Sequence, residues 1–175
     1  MKVLLNSDQI RAAIADLAKR ILGDIPDGAK IAVIGVRSRG EILAQRLAKH
    51  LSDRLEREIP CGTLDITLYR DDLNSPQSDD QPVVRSTEIG FDINDKIIIL
   101  IDDVLYTGRS SRAAMDALID FGRPKAIKLA VLVDRRGREL PIQADYLCCK
   151  TDIEPAKLIR VSLIESDGKD EVVVE

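Results

Sequence analysis

The sequence predicts an α/β fold: a mainly parallel, twisted sheet flanked by helices and finished by a small β-rich appendage. Three observations carry this. Apolar runs at residues 30–36, 96–101 and 126–133 are almost free of polar interruption, as suits strands covered on both faces. Segments with helical spacing lie between them, so strands and helices alternate. Beyond residue 134 the helical spacing disappears, and short β-prone segments recur near 145–149, 158–163 and 171–174.

Ser7 reads as the N-cap of a first helix carrying Ile10, Ile14, Leu17, Ala18, Ile21 and Leu22 at helical spacing, with Gly23 as its stop. A turn from Pro26 to Gly28 leads into the strand at 30–36. A second helix over 41–57 places Ile42, Leu43, Leu47, Leu51 and Leu55 on one stripe. Residues 63–69 alternate, with Leu64, Ile66 and Leu68 to one side, and read as a half-buried strand. Residues 70–90 have no periodicity, and 71–82 are rich in Asp, Asn, Ser, Pro and Gln. A connection this long inside one domain is functional or disordered as a rule. The strand at 96–101 is read as ending at Asp102-Asp103. Thr107-Gly108 then opens a helix carrying Ala113, Ala114, Ala117, Leu118 and Phe121, which Gly122 and Pro124 end.

At 175 residues the chain supplies one full core and is short for two, so a single domain over 1–175 is expected. Aromatics make up only 3%, with no Trp, so the core must rest on Ile, Leu, Val and Ala. That scarcity argues against a nucleic-acid surface built on aromatic stacking. A net charge of −4 gives no global attraction to nucleic acid or anionic membrane, although 26 basic residues leave room for a local patch. Cys61, Cys148 and Cys149 lack metal-ligand spacing, and the adjacent pair reads as strand residues in a reducing compartment. No apolar run approaches the ~20 residues of a membrane span. The first residues are too short for a signal peptide, so a cytoplasmic protein with no membrane partner is expected.

The chemistry concentrates after the strand at 96–101. In open parallel sheets ligands bind beyond the carboxyl ends of strands, where Asp102 and Asp103 stand. The small residues Thr107, Gly108 and Ser110 then open a helix, whose free N–H groups and dipole suit a phosphate. Two carboxylates beside that turn would repel a phosphate and suit sugar hydroxyls or a metal. Phosphoribosyl pyrophosphate (PRPP) presents a phosphate, vicinal hydroxyls and a metal-bound diphosphate together. Competing motifs fail: there is no Gly-x4-Gly-Lys-Ser/Thr, no Gly-x-Gly-x-x-Gly opening a helix, and the adjacent acids are not an Asp-x-Asp pair. A phospho-accepting receiver domain would leave the Thr-Gly-Arg-Ser turn and the long polar segment unexplained.

The stretch Ile98-Ile99-Leu100-Ile101-Asp102-Asp103-Val104-Leu105-Tyr106-Thr107-Gly108-Arg109-Ser110 resembles the PRPP-binding motif of type I phosphoribosyltransferases. A fuller likeness is to the PyrR family of pyrimidine operon attenuators and uracil phosphoribosyltransferases. It is carried by Gly35-Val36-Arg37-Ser38-Arg39-Gly40, by Leu64-Asp65-Ile66-Thr67-Leu68-Tyr69-Arg70-Asp71-Asp72-Leu73, by Asp120-Phe121-Gly122-Arg123-Pro124 and by residues 129–142. Nearly the whole chain is covered, and the 64–73 stretch is the part most particular to that family.

The resemblance implies the type I phosphoribosyltransferase fold and conversion of uracil and PRPP to UMP and pyrophosphate. It puts Asp102 and Asp103 on the ribose hydroxyls, and Val104, Leu105, Tyr106, Thr107, Gly108, Arg109 and Ser110 in the loop that cradles the ribose phosphate. Arg37, Ser38, Arg39 and Gly40 would take the pyrophosphate, and Arg70, on a loop beginning near Tyr69, would meet it when that loop closes. A hood formed mainly by 134–175 would cover the base, with Val133, Asp134 and Arg138 as base-side candidates. Magnesium is expected on the diphosphate, with no direct protein ligand assigned. UMP or UTP and a pyrimidine-operon mRNA leader are implied partners, and a homodimer or larger homo-oligomer the implied assembly.

On the family's RNA face Arg138 remains and Lys19 stands where relatives often have His. Ala15, Asp16, Gln143 and Cys148-Cys149 replace residues friendlier to RNA, and the Arg135-Arg136-Gly137-Arg138 turn stays basic. Loss of phosphate-facing cations weakens the salt-dependent part of RNA affinity. Three readings stay open on the sequence: a uracil transferase, an RNA-binding regulator with vestigial activity, or a transferase for another base. His50, beside Lys49 at a helix end, is read as a surface residue.

Overall fold

A computed structural model describes residues 1–71 and 86–175. The elements run β1 (Lys2–Leu5), α1 (Ser7–Asp24), β2 (Ile31–Val36), α2 (Arg39–Leu55), β3 (Cys61–Leu64), a 3-10 turn (Thr67–Tyr69), β4 (Ile97–Leu105), α3 (Arg109–Ile119), β5 (Ala126–Arg135), β6 (Tyr146–Thr151), β7 (Ile159–Ser162), α4 (Ile164–Asp167) and β8 (Glu171–Val174). Strands β3-β2-β4-β5-β6 form one five-stranded sheet, parallel throughout. A separate antiparallel sheet has the order β1-β8-β7. The α/β reading with a β-rich appendage therefore holds.

The unbroken apolar runs have a simple cause. Alternate residues of β2 and β4 enter two cores on opposite faces of the sheet. Ile31, Val33, Ile97, Ile99 and Ile101 pack with Ile10, Ile14, Leu17, Leu43, Leu47 and Leu51 of α1 and α2. Ala32, Ile34, Ile98 and Leu100 pack with Ala113, Ala114, Ala117 and Leu118 of α3. The alanines of α3 let that helix lie close to the sheet, in keeping with the scarcity of aromatics.

Several sequence expectations are corrected. The N-cap of α1 is Asn6, which forms a reciprocal capping box with Gln9, and Ser7 is already helical. Gly23 lies within α1, which ends at Asp24 just before Ile25-Pro26. Residues 63–69 are not one strand: β3 stops at Leu64, and the Asp65 carboxylate accepts bonds from Thr67 N (2.9 Å) and Thr67 Oγ1 (2.6 Å), curling the chain into a 3-10 turn. Ile66 is consequently buried, whereas Leu68 is 71% exposed. β4 continues through both aspartates to Leu105, because its pairing with β5 extends to Leu105↔Asp134. Phe121 lies beyond α3 and is exposed.

The appendage also differs in membership. β6 belongs to the main sheet, and the small sheet recruits β1 from the opposite end of the chain. It is fastened to α2 by Arg46, which pairs with both Glu165 and Asp170. Among the described residues no helix is long and apolar enough to cross a membrane, and all three cysteines are free. Of the expected loop at 70–90, residues 72–85 lie outside the described set. Its flanks are joined by the Thr63↔Glu88 bridge and by Asp65 N donating to Thr87 Oγ1 (2.9 Å).

Candidate active site

Chain progression reverses between β2 and β4: β3 is added on one side of β2, and β4, β5 and β6 on the other. The carboxyl ends diverge at such a switch point and leave a crevice. A cleft of about 310 Å³ lies there. Arg37, Ser38 and Arg39 line it from beyond β2, Asp65, Ile66, Thr67 and Arg70 from beyond β3, Asp102, Asp103 and Val104 from β4, and Ser110 from α3.

The two acids are held differently from ordinary surface carboxylates. Asp102 is 8% exposed, and burial together with the neighbouring Asp103 pushes its carboxyl well above the usual range. Its Oδ1 accepts a bond from Asp103 N (2.9 Å), and Asp103 Oδ1 accepts one from Val104 N (2.8 Å). The remaining oxygens can accept from hydroxyls or meet a cation, and either contact would offset the cost of ionising Asp102.

Two turns face these acids. At the second, Gly108 adopts φ +91°, a left-handed conformation that turns the strand end into α3, and as the N-cap residue it supplies no side-chain cap. The free N–H groups at the start of α3 are what an anion needs. Thr107 Oγ1 accepts from Arg109 N at 3.2 Å, and Thr107 O accepts from Glu139 N and Leu140 N, so the turn is braced from behind. At the first turn the Arg37–Ser38 peptide is cis, and α2 begins at Arg39. Gly40 is pressed against β4: a Cβ there would stand 2.6 Å from Ile101 O.

The arginines of the site are largely committed to protein. Arg37 donates to Ser86 O (2.8 Å) and pairs with Glu41 (3.0 Å) and Glu88 (3.7 Å). Arg39 pairs with Asp167 of α4 at 2.8 Å. Arg109 lies between Asp71 (2.6 Å) and Glu139 (2.7 Å). The cleft thus offers backbone N–H groups, hydroxyls and carboxylates more than free guanidinium charge. Arg70 lines it as well.

Other sequence candidates lie elsewhere. Leu105 is buried in the α3-side core, and Tyr106 turns away from the cleft toward Arg135. Val133 is fully buried. Asp134 pairs with Arg138 at 2.6 Å, and Arg138 also donates to Tyr106 O; both residues line a separate cavity of about 770 Å³ with Arg135, Arg136 and Lys150. Lys19 is exposed on α1, whose Arg20 bonds Leu147 O of β6 at 2.7 Å. Sequence reasoning left Asp65 and Thr67 without a role, although they line the cleft. The signal was present, because both lie in the stretch at 64–73.

With this geometry in place, comparison with known proteins is informative. A family model described as the phosphoribosyl transferase domain matches residues 2–163. The chain is 50% identical over 173 residues to the bifunctional protein PyrR of Alkaliphilus metalliredigens, covering 98% of this chain and 93% of that protein. It is 50% identical over 167 residues to the PyrR of Deinococcus radiodurans (95% and 90% covered), and 46% identical over 169 residues to that of Thermus thermophilus (97% and 92%). Among solved structures, the hypoxanthine phosphoribosyltransferase of Trypanosoma cruzi superposes with a TM-score of 0.72 at 20% identity, covering 99% of this chain and 95% of that one. A hypoxanthine-guanine phosphoribosyltransferase from Bacillus anthracis gives 0.70 at 20% identity, covering 91% and 86%. At that identity the structural likeness speaks for the fold alone.

Proposed function

Because the chain belongs to the phosphoribosyl transferase family and, within it, to the PyrR proteins, we propose that it is a uracil phosphoribosyltransferase, making UMP and pyrophosphate from uracil and PRPP. The observation that carries the reading is the convergence of Asp102, Asp103 and the start of α3 in one cleft at the strand-order switch. The paired acids take the ribose 2- and 3-hydroxyls, and the turn at 107–110 takes the 5-phosphate on its backbone N–H groups. The turn at 37–40 receives the pyrophosphate, with Arg70 beside it.

A ring nitrogen of uracil attacks the anomeric carbon as the bond from that carbon to the pyrophosphate oxygen breaks. The nitrogen's proton passes to the departing pyrophosphate, and no covalent enzyme intermediate is needed. Charge develops on the ribose and on the leaving group, so fixed dipoles and exclusion of water are what this chain contributes. Among the described residues no group of three metal-ligating side chains forms a cage. Hard carboxylate oxygens beside a diphosphate suit magnesium, which binds through one or two carboxylates plus phosphates. Held mainly by diphosphate and ribose oxygens, with Asp102 and Asp103 beside it, the ion would neutralise charge on the leaving pyrophosphate.

The small sheet with the connection leading to it serves as a hood over the base, in one domain that works as a homodimer or larger assembly. Incubating the protein with PRPP, magnesium and a panel of bases tests the reaction, with UMP formed from uracil as the expected product. Turnover of a purine or orotate in place of uracil would overturn the base assignment.

A second reading has its own support. The cavity edged by Arg135, Arg136, Arg138 and Lys150, in a chain whose relatives are called bifunctional, favours a regulatory role through binding of pyrimidine-leader mRNA under control of UMP or UTP. Gel-shift titration against such RNA at several salt concentrations tests it. Absence of binding at low salt would leave the transferase alone.

A further inference from the structure

Among the described residues Arg135 is the one buried cation. It ends β5 at 5% exposure, yet among the described residues no carboxylate pairs with it. The acids nearby are taken by its neighbours: Asp134 by Arg138, and Asp152 by Arg136. A buried cation without a counter-ion is costly unless dipoles or an aromatic face solvate it. Its guanidinium meets both needs. One terminal nitrogen donates to Lys157 O (2.8 Å) and the other to Glu154 O (2.9 Å) and Pro155 O (3.4 Å), while the guanidinium carbon lies 4.3 Å from the centre of the Tyr106 ring. Its Nε is buried without a partner.

The two ends of this contact belong to different parts of the site. Tyr106 lies on the turn that follows the paired acids. It is gripped a second time because residue 137 is Gly: a Cβ there would come within 2.3 Å of the ring. Residues 154–157 belong to the connection that leaves β6 of the main sheet and enters β7 of the small one. Among the described residues, the salt bridges that tie the β7–β8 connection to the rest of the chain, Arg39–Asp167 and Arg46 with Glu165 and Asp170, run to α2. Arg135 therefore fixes the opposite margin of the hood.

We infer that Arg135 is a positioning residue that sets the spacing between the turn carrying Tyr106 and the 154–157 connection, and with it the width of the base pocket. This rests on the transferase reading, in which the hood covers the base. In that reading the PRPP contacts lie on backbone groups at 37–40 and 107–110; the first turn makes no contact with Arg135, and Thr107 of the second is held separately by Glu139 N and Leu140 N. Base affinity should therefore respond to Arg135 more than PRPP affinity does.

The test is steady-state kinetics, with each substrate varied in turn, on Arg135→Met, Arg135→Lys, Tyr106→Leu and Tyr106→Phe. Misplacing a binding wall by a fraction of an ångström weakens binding about tenfold, so Arg135→Met and Tyr106→Leu should each raise KM for uracil by about that factor. KM for PRPP should move by less than about threefold, since its contacts are elsewhere. Tyr106→Phe keeps the ring face and should raise KM for uracil far less than Tyr106→Leu does. Arg135→Lys, which keeps the charge but loses the fork, should not rescue. Equal rises in both KM values, or an unchanged KM for uracil in Arg135→Met and Tyr106→Leu, would overturn the assignment. Amide hydrogen exchange supplies a readout independent of activity. Arg135→Met should exchange faster at 104–106 and 154–158 together, with 109–112, α1 and α2 unchanged; unaltered exchange in either segment would overturn the tie. A wild-type protein inactive on uracil would sink the reaction, while the exchange result would still decide the tie.

Discussion

The turn after β2 lines the cleft with Arg37, Ser38 and Arg39, the turn after β4 with Ser110 alone, and the two are built in opposite ways. The turn at 37–40 carries two arginines, and both guanidiniums are bound to protein carboxylates. The turn at 107–110 carries hydroxyls and a left-handed glycine, which as N-cap supplies no side chain to the start of α3. A cation written in the sequence is therefore not the same as a cation available to a ligand. Arg37, Arg39 and Arg109 hold the frame, and in the proposed reaction it is the backbone they hold that meets phosphate.

Replacing glycines should break this comparison most severely. In Gly40→Ala the new methyl meets the backbone oxygen of Ile101 at 2.6 Å, which neither strand nor helix can readily yield. Overpacking of that kind costs about 3 kcal/mol, and loss of PRPP affinity should accompany it. Gly108→Ala should be milder, about 1–2 kcal/mol for a left-handed residue, because its methyl meets only side-chain atoms, the nearest 3.3 Å away on Ile142. Urea unfolding and calorimetric PRPP titration on both variants check the order. Next in size, Thr107→Val removes a hydroxyl from the open turn and should weaken PRPP binding by about 1 kcal/mol, the worth of one hydrogen bond.

The contrast extends to the acids and gives them opposite pH signatures. Asp102 is held above its ordinary range by burial and by Asp103, so the folded chain keeps its proton longer than the unfolded one. Stability from this group is greatest below the unfolded value of about 3.9 and declines as pH rises toward the folded value. Asp102→Asn should thus be more stable than wild type at pH 7, with the gain vanishing near pH 4. Asp170 and Glu165 behave in reverse. Their bonds to Arg46 hold both carboxyls below the usual range, so their contribution is present at neutral pH and disappears as pH falls through the folded values. Asp170→Asn should cost about 1 kcal/mol at pH 7, the upper end for a partly exposed pair. Thermal melts across pH on the two variants should diverge in sign.

Much of this was legible in the sequence where signals were local. The runs in β2, β4 and β5 follow from two-sided burial, and the acids and hydroxyl turn of the cleft are contiguous in the chain. Non-local features were hidden. β1 is a four-residue strand whose partner, β8, lies at the other end of the chain, so no local pattern announces it. Leu64, Ile66 and Leu68 mimic a strand because alternation is the same whether the chain stays extended or, as here, curls after Leu64 around the Asp65 carboxylate. Nothing near Arg39 in sequence marks Asp167 as its partner, and nothing near Arg135 marks the carbonyls at 154–157. Such pairings arise only when distant segments pack.

Calorimetric titration of magnesium-PRPP into wild type and into the double variant Asp102→Asn/Asp103→Asn tests the central claim most directly. Each amide should keep one oxygen for the adjacent backbone N–H, so the fold should survive. With the paired acids on the ribose hydroxyls, affinity should fall by about two orders of magnitude, in line with loss of two charge-assisted contacts. A double variant that binds PRPP as tightly as wild type would contradict the account.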